Sequence, residues 1–227
     1  MENNFEIGLE ALRQKLLLMA SHAETAVNQS VQALIQRDYD LALRVKEDDR
    51  VIDQFEVEID DLVIQLLTKA PLATNLRLVT VAMKISQNLE RVGDEASKIA
   101  KRARDLTQEP PVKITIDLPR MADMALAMLK SSLDTFVNKD PVAARAIIPR
   151  DKEVDALNKQ IHEILAQHMV ANPDTISRCL NWMVACKSLE RIADHAKNIA
   201  EEVVYLYEAQ DIRHTGNKGQ DASTPRA

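Results

Sequence analysis

A twelve-residue stretch occurs twice in this chain, and that duplication limits the possible folds more than any other feature. Leu89-Glu90-Arg91-Val92-Gly93-Asp94-Glu95-Ala96-Ser97-Lys98-Ile99-Ala100 returns as Leu189-Glu190-Arg191-Ile192-Ala193-Asp194-His195-Ala196-Lys197-Asn198-Ile199-Ala200. Both copies keep Leu-Glu-Arg, the Glu-x-x-x-Asp pair and the apolar positions around it. Residues four apart share one face of an α-helix, one turn from each other. Glu90 with Asp94, and Glu190 with Asp194, therefore project together. Gly93 and Ala193 lie near the same face and offer no bulk, which lets a neighbouring helix or an ion come close.

A second acid pair precedes each copy: Asp49 and Asp53 in the first half, Asp151 and Asp155 in the second. Turns fall between the pairs, at Pro71 and at Asn172-Pro173. In an antiparallel helical hairpin, residues equidistant from the turn lie level with each other. Asp49 is then opposite Asp94 and Asp53 opposite Glu90, while Asp151 is opposite Asp194 and Asp155 opposite Glu190. Each hairpin is predicted to gather four carboxylates at one level. At about 6 Å and an effective dielectric near 20, each like pair costs roughly 3 kcal/mol. Water and raised pKa values, Arg91 and Arg191, or a bound cation can relieve that cost. Donors made only of carboxylate oxygen suit hard ions such as magnesium, manganese, calcium or iron, and zinc less well. The eight acids Asp49, Asp53, Glu90, Asp94, Asp151, Asp155, Glu190 and Asp194 are thus candidate metal ligands. The same register makes the two sites unequal: Glu56 with Gln87 borders the first, and Asn158 with Lys187 borders the second.

With 227 residues, 46% of them hydrophobic, the chain can bury a real core. Only 4 glycines and 3% aromatic residues, set in long aliphatic periodicity, point to an all-α protein of two tandem, pseudo-symmetric three-helix bundles with six long helices. The predicted plan is a first repeat over 1–106, a linker over 107–117, a second repeat over 118–212 and a disordered tail over 213–227. Pro110, Pro111 and Pro119 forbid a helix through the linker. Apolar stripes run through Ile7, Leu9, Leu12, Leu16, Met19, Ala23, Val27, Val31, Leu34 and Ile35, and through Leu78, Val81, Ala82, Ile85, Leu89, Val92, Ala96 and Ile99. Asp38 and Asp40 are N-cap candidates for the second helix, Asp140 stands at the corner equivalent to Asp38, and Thr74 or Asn75 is expected to cap the third helix. Met121, Met124 and Met128 read as core filling, and Lys98, Lys101, Arg102 and Arg104 as partners of a helix C-terminus.

A net charge of −6, from 29 basic against 35 acidic side chains, argues against a nucleic-acid partner. No apolar run approaches 18 residues, and no small-residue cleavage site follows Leu16-Leu17-Leu18-Met19-Ala20, so a cytoplasmic location is expected. Cys179 and Cys186, seven apart on one helix, are about 10 Å apart and beyond disulfide reach. No nucleophile, Gly-rich phosphate loop or general-base pair is visible, and the chain reads as non-enzymatic. A carboxylate-bridged di-metal bundle enzyme is one alternative, but that class uses Glu-x-x-His, which is absent here. A metal-free scaffold bundle with solvated acids is another.

The duplicated acid motifs, Leu76-Arg77-Leu78-Val79 and the closing Gln210-Asp211-Ile212-Arg213-His214 resemble the PhoU family of phosphate-transport regulators over roughly residues 5 to 214. The resemblance implies paired three-helix bundles that associate as a homodimer. It also implies negative regulation of the phosphate regulon, coupling the ATPase subunit of a phosphate ABC transporter to a membrane sensor histidine kinase. Some members carry metal clusters on acid motifs that correspond to the eight residues named above. Asn75 departs from the pattern, since an acid is expected before Leu-Arg-Leu; as a helix cap Asn serves equally.

Overall fold

A computed structural model of the chain describes residues 2–68 and 73–213. The Pro71 turn, His214 and the rest of the expected tail lie outside those residues. The helices are α1 (Glu2–Gln36), α2 (Tyr39–Leu67), α3 (Ala73–Thr107), α4 (Leu118–Asn138), α5 (Pro141–Ile147), α6 (Asp151–Ala171) and α7 (Ile176–Glu208), with 3-10 turns at Ile148–Arg150 and Pro173–Thr175. Among the described residues no strand occurs, and no helix is long and apolar enough to cross a membrane.

Helices α1, α2 and α3 pack on one another as the first bundle, and α4, α5–α6 and α7 as the second. The plan differs from six uninterrupted helices at one place. Pro149 has no N–H to donate and its ring crowds the preceding turn, so the second helix of the second repeat is interrupted by the Ile148–Arg150 3-10 turn and resumes as α6. The α1→α2 and α4→α5 corners are built alike. Arg37 and Lys139 take left-handed conformations with φ of 58° and 56°. Asp38 then accepts from the Leu41 N–H and Asp140 from the Ala143 N–H, each at 2.9 Å. Thr74 and Asn75, by contrast, lie inside the first turn of α3 and not at its cap.

The α3 stripe is buried from Val81 to Ile99, while Ile7 and Ile35 at the ends of the α1 stripe are exposed although Phe5, Ala33 and Leu34 beside them are buried, so these two residues face outward. Met121 and Met128 are buried and Met124 packs against the core. The linker is extended, with Val112, Ile114 and Ile116 turned to the core and Lys113 and Thr115 to solvent, the two-residue period of an extended chain. Arg37 donates to the Leu106 and Glu109 carbonyls and Arg178 to the Pro110 carbonyl, so both repeats hold it.

The two bundles meet along α3 and α7, which run antiparallel. Glu95, only 4% exposed, accepts from Lys98 at 2.9 Å and from Arg191 at 3.2 Å. One turn-pair away, Asn88 Oδ1 lies 3.0 Å from His195 Nδ1. Exchanging each residue for its repeat equivalent turns the Asn88–His195 contact into Ser188–Glu95, so the seam has an approximate dyad. Farther along, Lys84 bonds both oxygens of buried Glu202, which also takes Arg213 at 3.1 Å and so ties down the segment after α7.

Candidate functional site

The level pairing expected of each hairpin appears in the structure. On α6 and α7, His162 Nε2 lies 3.2 Å from the Met183 carbonyl oxygen, two residues equidistant from the Asn172–Pro173 turn. Asp155 lies near enough to Glu190, also its equidistant partner, for that charge to help raise its pKa, after burial and the charge of Asp151. On α2 and α3, a Cβ placed on Gly93 would stand 3.1 Å from Asp49 Oδ1 and 2.8 Å from Ile52 Cδ1. The smallest residue sits where the acid-bearing helix comes closest.

In the first cluster Asp49, Asp53, Glu90 and Asp94 feel one another's charge, and Glu56 joins them. Burial, followed by the charges of Asp53 and Asp94, raises the Asp49 pKa, against the Ser97 hydroxyl and Lys98, which lower it. Burial also raises Glu90, with Asp94 and Glu56 adding to the shift, and raises Glu56, with Asp60 and Asp53 adding. The compensating charge is thin: Arg91 reaches Glu90 at 3.4 Å, and its own side chain is 66% exposed. The Ser97 hydroxyl is buried beside Asp49 but falls short of a formed hydrogen bond. A cleft of about 410 Å³ opens alongside, lined by Glu56, Gln87, Asn88, Glu90, Arg91 and His195.

The second cluster brings Asp151, Asp155, Glu190 and Asp194 together in the same way. Burial, with the charges of Asp151 and Glu190, raises both Asp155 and Asp194. Two ammonium groups enter this cluster. Lys197 Nζ bonds Asp151 Oδ2 at 2.7 Å and lies 3.9 Å from Asp194 Oδ1, and Lys187 Nζ lies 2.5 Å from Glu190 Oε2. The bond to Asp151 raises the Lys197 pKa and keeps it charged. Sequence reasoning identified Lys187 but missed Lys197, although its spacing three residues after Asp194 and its alignment with Ser97 were both visible.

Among the described residues, no group of three or more His, Cys, Asp or Glu side chains is arranged as a ready-made ion cage. The first cluster nonetheless suits a hard cation in donor chemistry. Burial first, and then neighbouring acids, raises the pKa values of Asp49 and Glu90; Asp49 faces a cradle that a Cβ on Gly93 would fill, and Glu90 lines the open cleft. Cys179 and Cys186 are free and buried, and burial pushes the Cys186 thiol up to about 12, far from a thiolate ligand. Near the C-terminal end of α3, Lys98 bonds Glu95 and Arg102 bonds Asp105 within the helix, while Arg102 also reaches Asn181 on α7 and Arg104, in the last turn, lies over the Tyr39 ring of α2.

Comparison with known proteins accounts for the whole duplicated plan. The PhoU domain model matches twice, over residues 16–103 and 118–203. The phosphate-specific transport system accessory protein PhoU homolog of Pseudomonas putida is 39% identical over 220 residues, 96% of this chain and 86% of that relative. The Escherichia coli K12 phosphate-specific transport system accessory protein PhoU is 33% identical over 218 residues, 96% of this chain and 90% of that relative. The crystal structure of PhoU from Pseudomonas aeruginosa superposes with a TM-score of 0.88 at 39% identity, covering 91% of this chain and all of that one. PhoU from Streptococcus pneumoniae, described as a phosphate transport system regulatory protein, gives 0.82 at 25% identity, with 92% and 99% covered. These relatives are described as accessory and regulatory proteins and not as enzymes, in keeping with the non-enzymatic reading of the sequence. Two matched domains, near-complete coverage and the shared fold place this chain in the PhoU family.

Proposed function

We propose that this chain is a cytoplasmic accessory regulator of phosphate uptake, acting as a homodimer. In this reading it restrains phosphate-starvation signalling by linking the ATPase subunit of a phosphate ABC transporter to a sensor histidine kinase, and it reaches the membrane only through those partners. The observation that carries the reading is the family match over both repeats, at 33–40% identity to phosphate-transport accessory proteins. The first acid cluster supports a further element: Asp49, Asp53, Glu90 and Asp94 would hold a hard metal ion such as magnesium, manganese, calcium or iron, with zinc less suited. When bound, such an ion supplies positive charge that neutralises the cluster and fixes α2 against α3.

Deletion of the gene tests the regulatory reading. Phosphate-starvation genes should stay active in phosphate-rich medium, and unchanged reporter expression would refute the restraint. Affinity capture with the full chain as bait should recover transporter ATPase and kinase peptides. Elemental analysis of protein purified without chelator tests the metal, and a metal-free protein would favour the scaffold alternative.

A further inference from the structure

We infer that Lys197 is a built-in counter-ion that fills the role of a metal in the second acid cluster, leaving the first cluster as the chain's own metal-binding position. The second half of this statement rests on the metal reading above; the first half stands on the ion-pair geometry alone.

The two clusters share their four acids and differ in what faces them. Lys197 occupies the position of Ser97, and Lys187 that of Gln87. Asp151 is only 4% exposed and gives its Oδ2 to Lys197 at 2.7 Å, with Asp194 Oδ1 at 3.9 Å from the same nitrogen. Glu190, 8% exposed, has Lys187 at 2.5 Å. Two acids that a metal would need are therefore already paired with cations inside the chain. Asp151 Oδ1 is left without a hydrogen-bond partner, as one ammonium cannot serve both oxygens of every carboxylate around it. The rim adds to the contrast, for Glu56 borders the first cluster and Asn158 the second. Removing one partner of a buried pair strands the other, so displacing Lys197 is costly to any incoming divalent ion. With two resident ammonium groups the second cluster is a poor site for a hard cation; the first cluster has only the outward-lying Arg91 within 4 Å among the described residues.

Manganese(II) alone is the probe, titrated into the full chain and followed by paramagnetic resonance of the free ion and by native mass spectrometry. Wild-type protein should show binding that Asp49→Asn weakens tenfold or more and Asp151→Asn leaves unchanged. Lys197→Ser combined with Lys187→Gln should create additional binding that Asp151→Asn then abolishes. In chelator the double lysine variant should unfold at a lower temperature than wild type, and manganese should restore it. Wild-type binding lost on Asp151→Asn, or no additional binding in the lysine variant, overturns the inference. If wild type binds nothing while the lysine variant gains an Asp151-dependent site, the counter-ion role holds and the first-cluster reading is what fails.

Discussion

Replacing Glu95 tests whether the seam between the repeats is fastened by charge. Its carboxylate is almost fully buried and accepts from Lys98 and Arg191, which come from the two different bundles. Hydrogen bonds to charged groups contribute about 1.5–3 kcal/mol each. The two bases are 46% and 51% exposed and regain water when the acid is removed, which puts the total for Glu95→Ala near the low end, at about 2–3 kcal/mol. For a chain of this length each kcal/mol moves Tm by about 2–4 °C, so a fall of about 4–12 °C is expected. The pH dependence provides a separate signature. Burial alone would raise the Glu95 pKa, but the bonds from Lys98, Ser188 and Arg191 outweigh it and hold the group below its ordinary 4.5. A lowered folded-state pKa gives stability that is present above the unfolded value and is lost as pH falls through the folded one. Acid titration below about 4.5 should therefore cost wild type an increment that Glu95→Gln lacks. Calorimetry from pH 3 to 7 on wild type, Glu95→Ala and Glu95→Gln measures both effects. A Glu95→Ala Tm within 1 °C of wild type at pH 7, or parallel acid limbs for wild type and Glu95→Gln, would refute the reasoning.

In the first acid cluster the sign is opposite. Asp49 and Glu90 have raised folded-state pKa values, so their ionisation weakens the fold as pH rises through them. In chelator at pH 7, Asp49→Asn with Glu90→Gln should raise Tm by a few degrees, about 1–3 kcal/mol after solvent screening of half-buried groups; a loss of several degrees would mean that the acids form structural hydrogen bonds. Asp38→Ala and Asp140→Ala should each cost about 1 kcal/mol in denaturant unfolding, because each removes a formed helix cap, and the pair should add. Lys139→Gly should gain up to about 1 kcal/mol, as glycine takes the left-handed φ of 56° without a Cβ penalty; a loss in the same assay would show that the lysine side chain contributes more than its backbone strain costs.

The elements most legible in the sequence were those that depend only on helical rise and on a marked turn. Equidistance from Asn172–Pro173 placed Asp155 opposite Glu190, and the same rule puts His162 against Met183. The all-α class and the boundary at Leu118 followed from periodicity and the linker prolines. Less legible was whatever depends on how one bundle meets the other. Nothing in the α3 stripe says that Glu95 turns away from the acid cluster toward α7, since periodicity identifies a core face but not a second interface. A proline inside a helical run marks the break at Pro149, whereas the duplicated plan by itself predicts an intact helix there. Lys197 stands where the copies diverge, at the position of Ser97, and a shared motif carries no signal for such a position.

The seam and the acid clusters are built from the same twelve residues, and that has a mechanical consequence. Asp94 and Glu95 are adjacent on α3, and Asp194 and His195 on α7, so one residue of each pair faces its own hairpin while the next faces the other repeat. A helix is stiff about its axis over one turn. Rotating α3 to re-aim Asp94 would therefore also move Glu95 against Arg191. On α7 the equivalent motion is resisted, because Lys197 ties Asp151 to the helix that bears Asp194 and His195. The two copies of the motif thus differ in what meets their acids: Lys197 pairs Asp151 and lies near Asp194 in the second, where Ser97 stands in the first. Burial lowers the His195 pKa, and at the seam this residue meets Asn88 through a hydrogen bond, while its counterpart Glu95 holds Arg191 through a full charge.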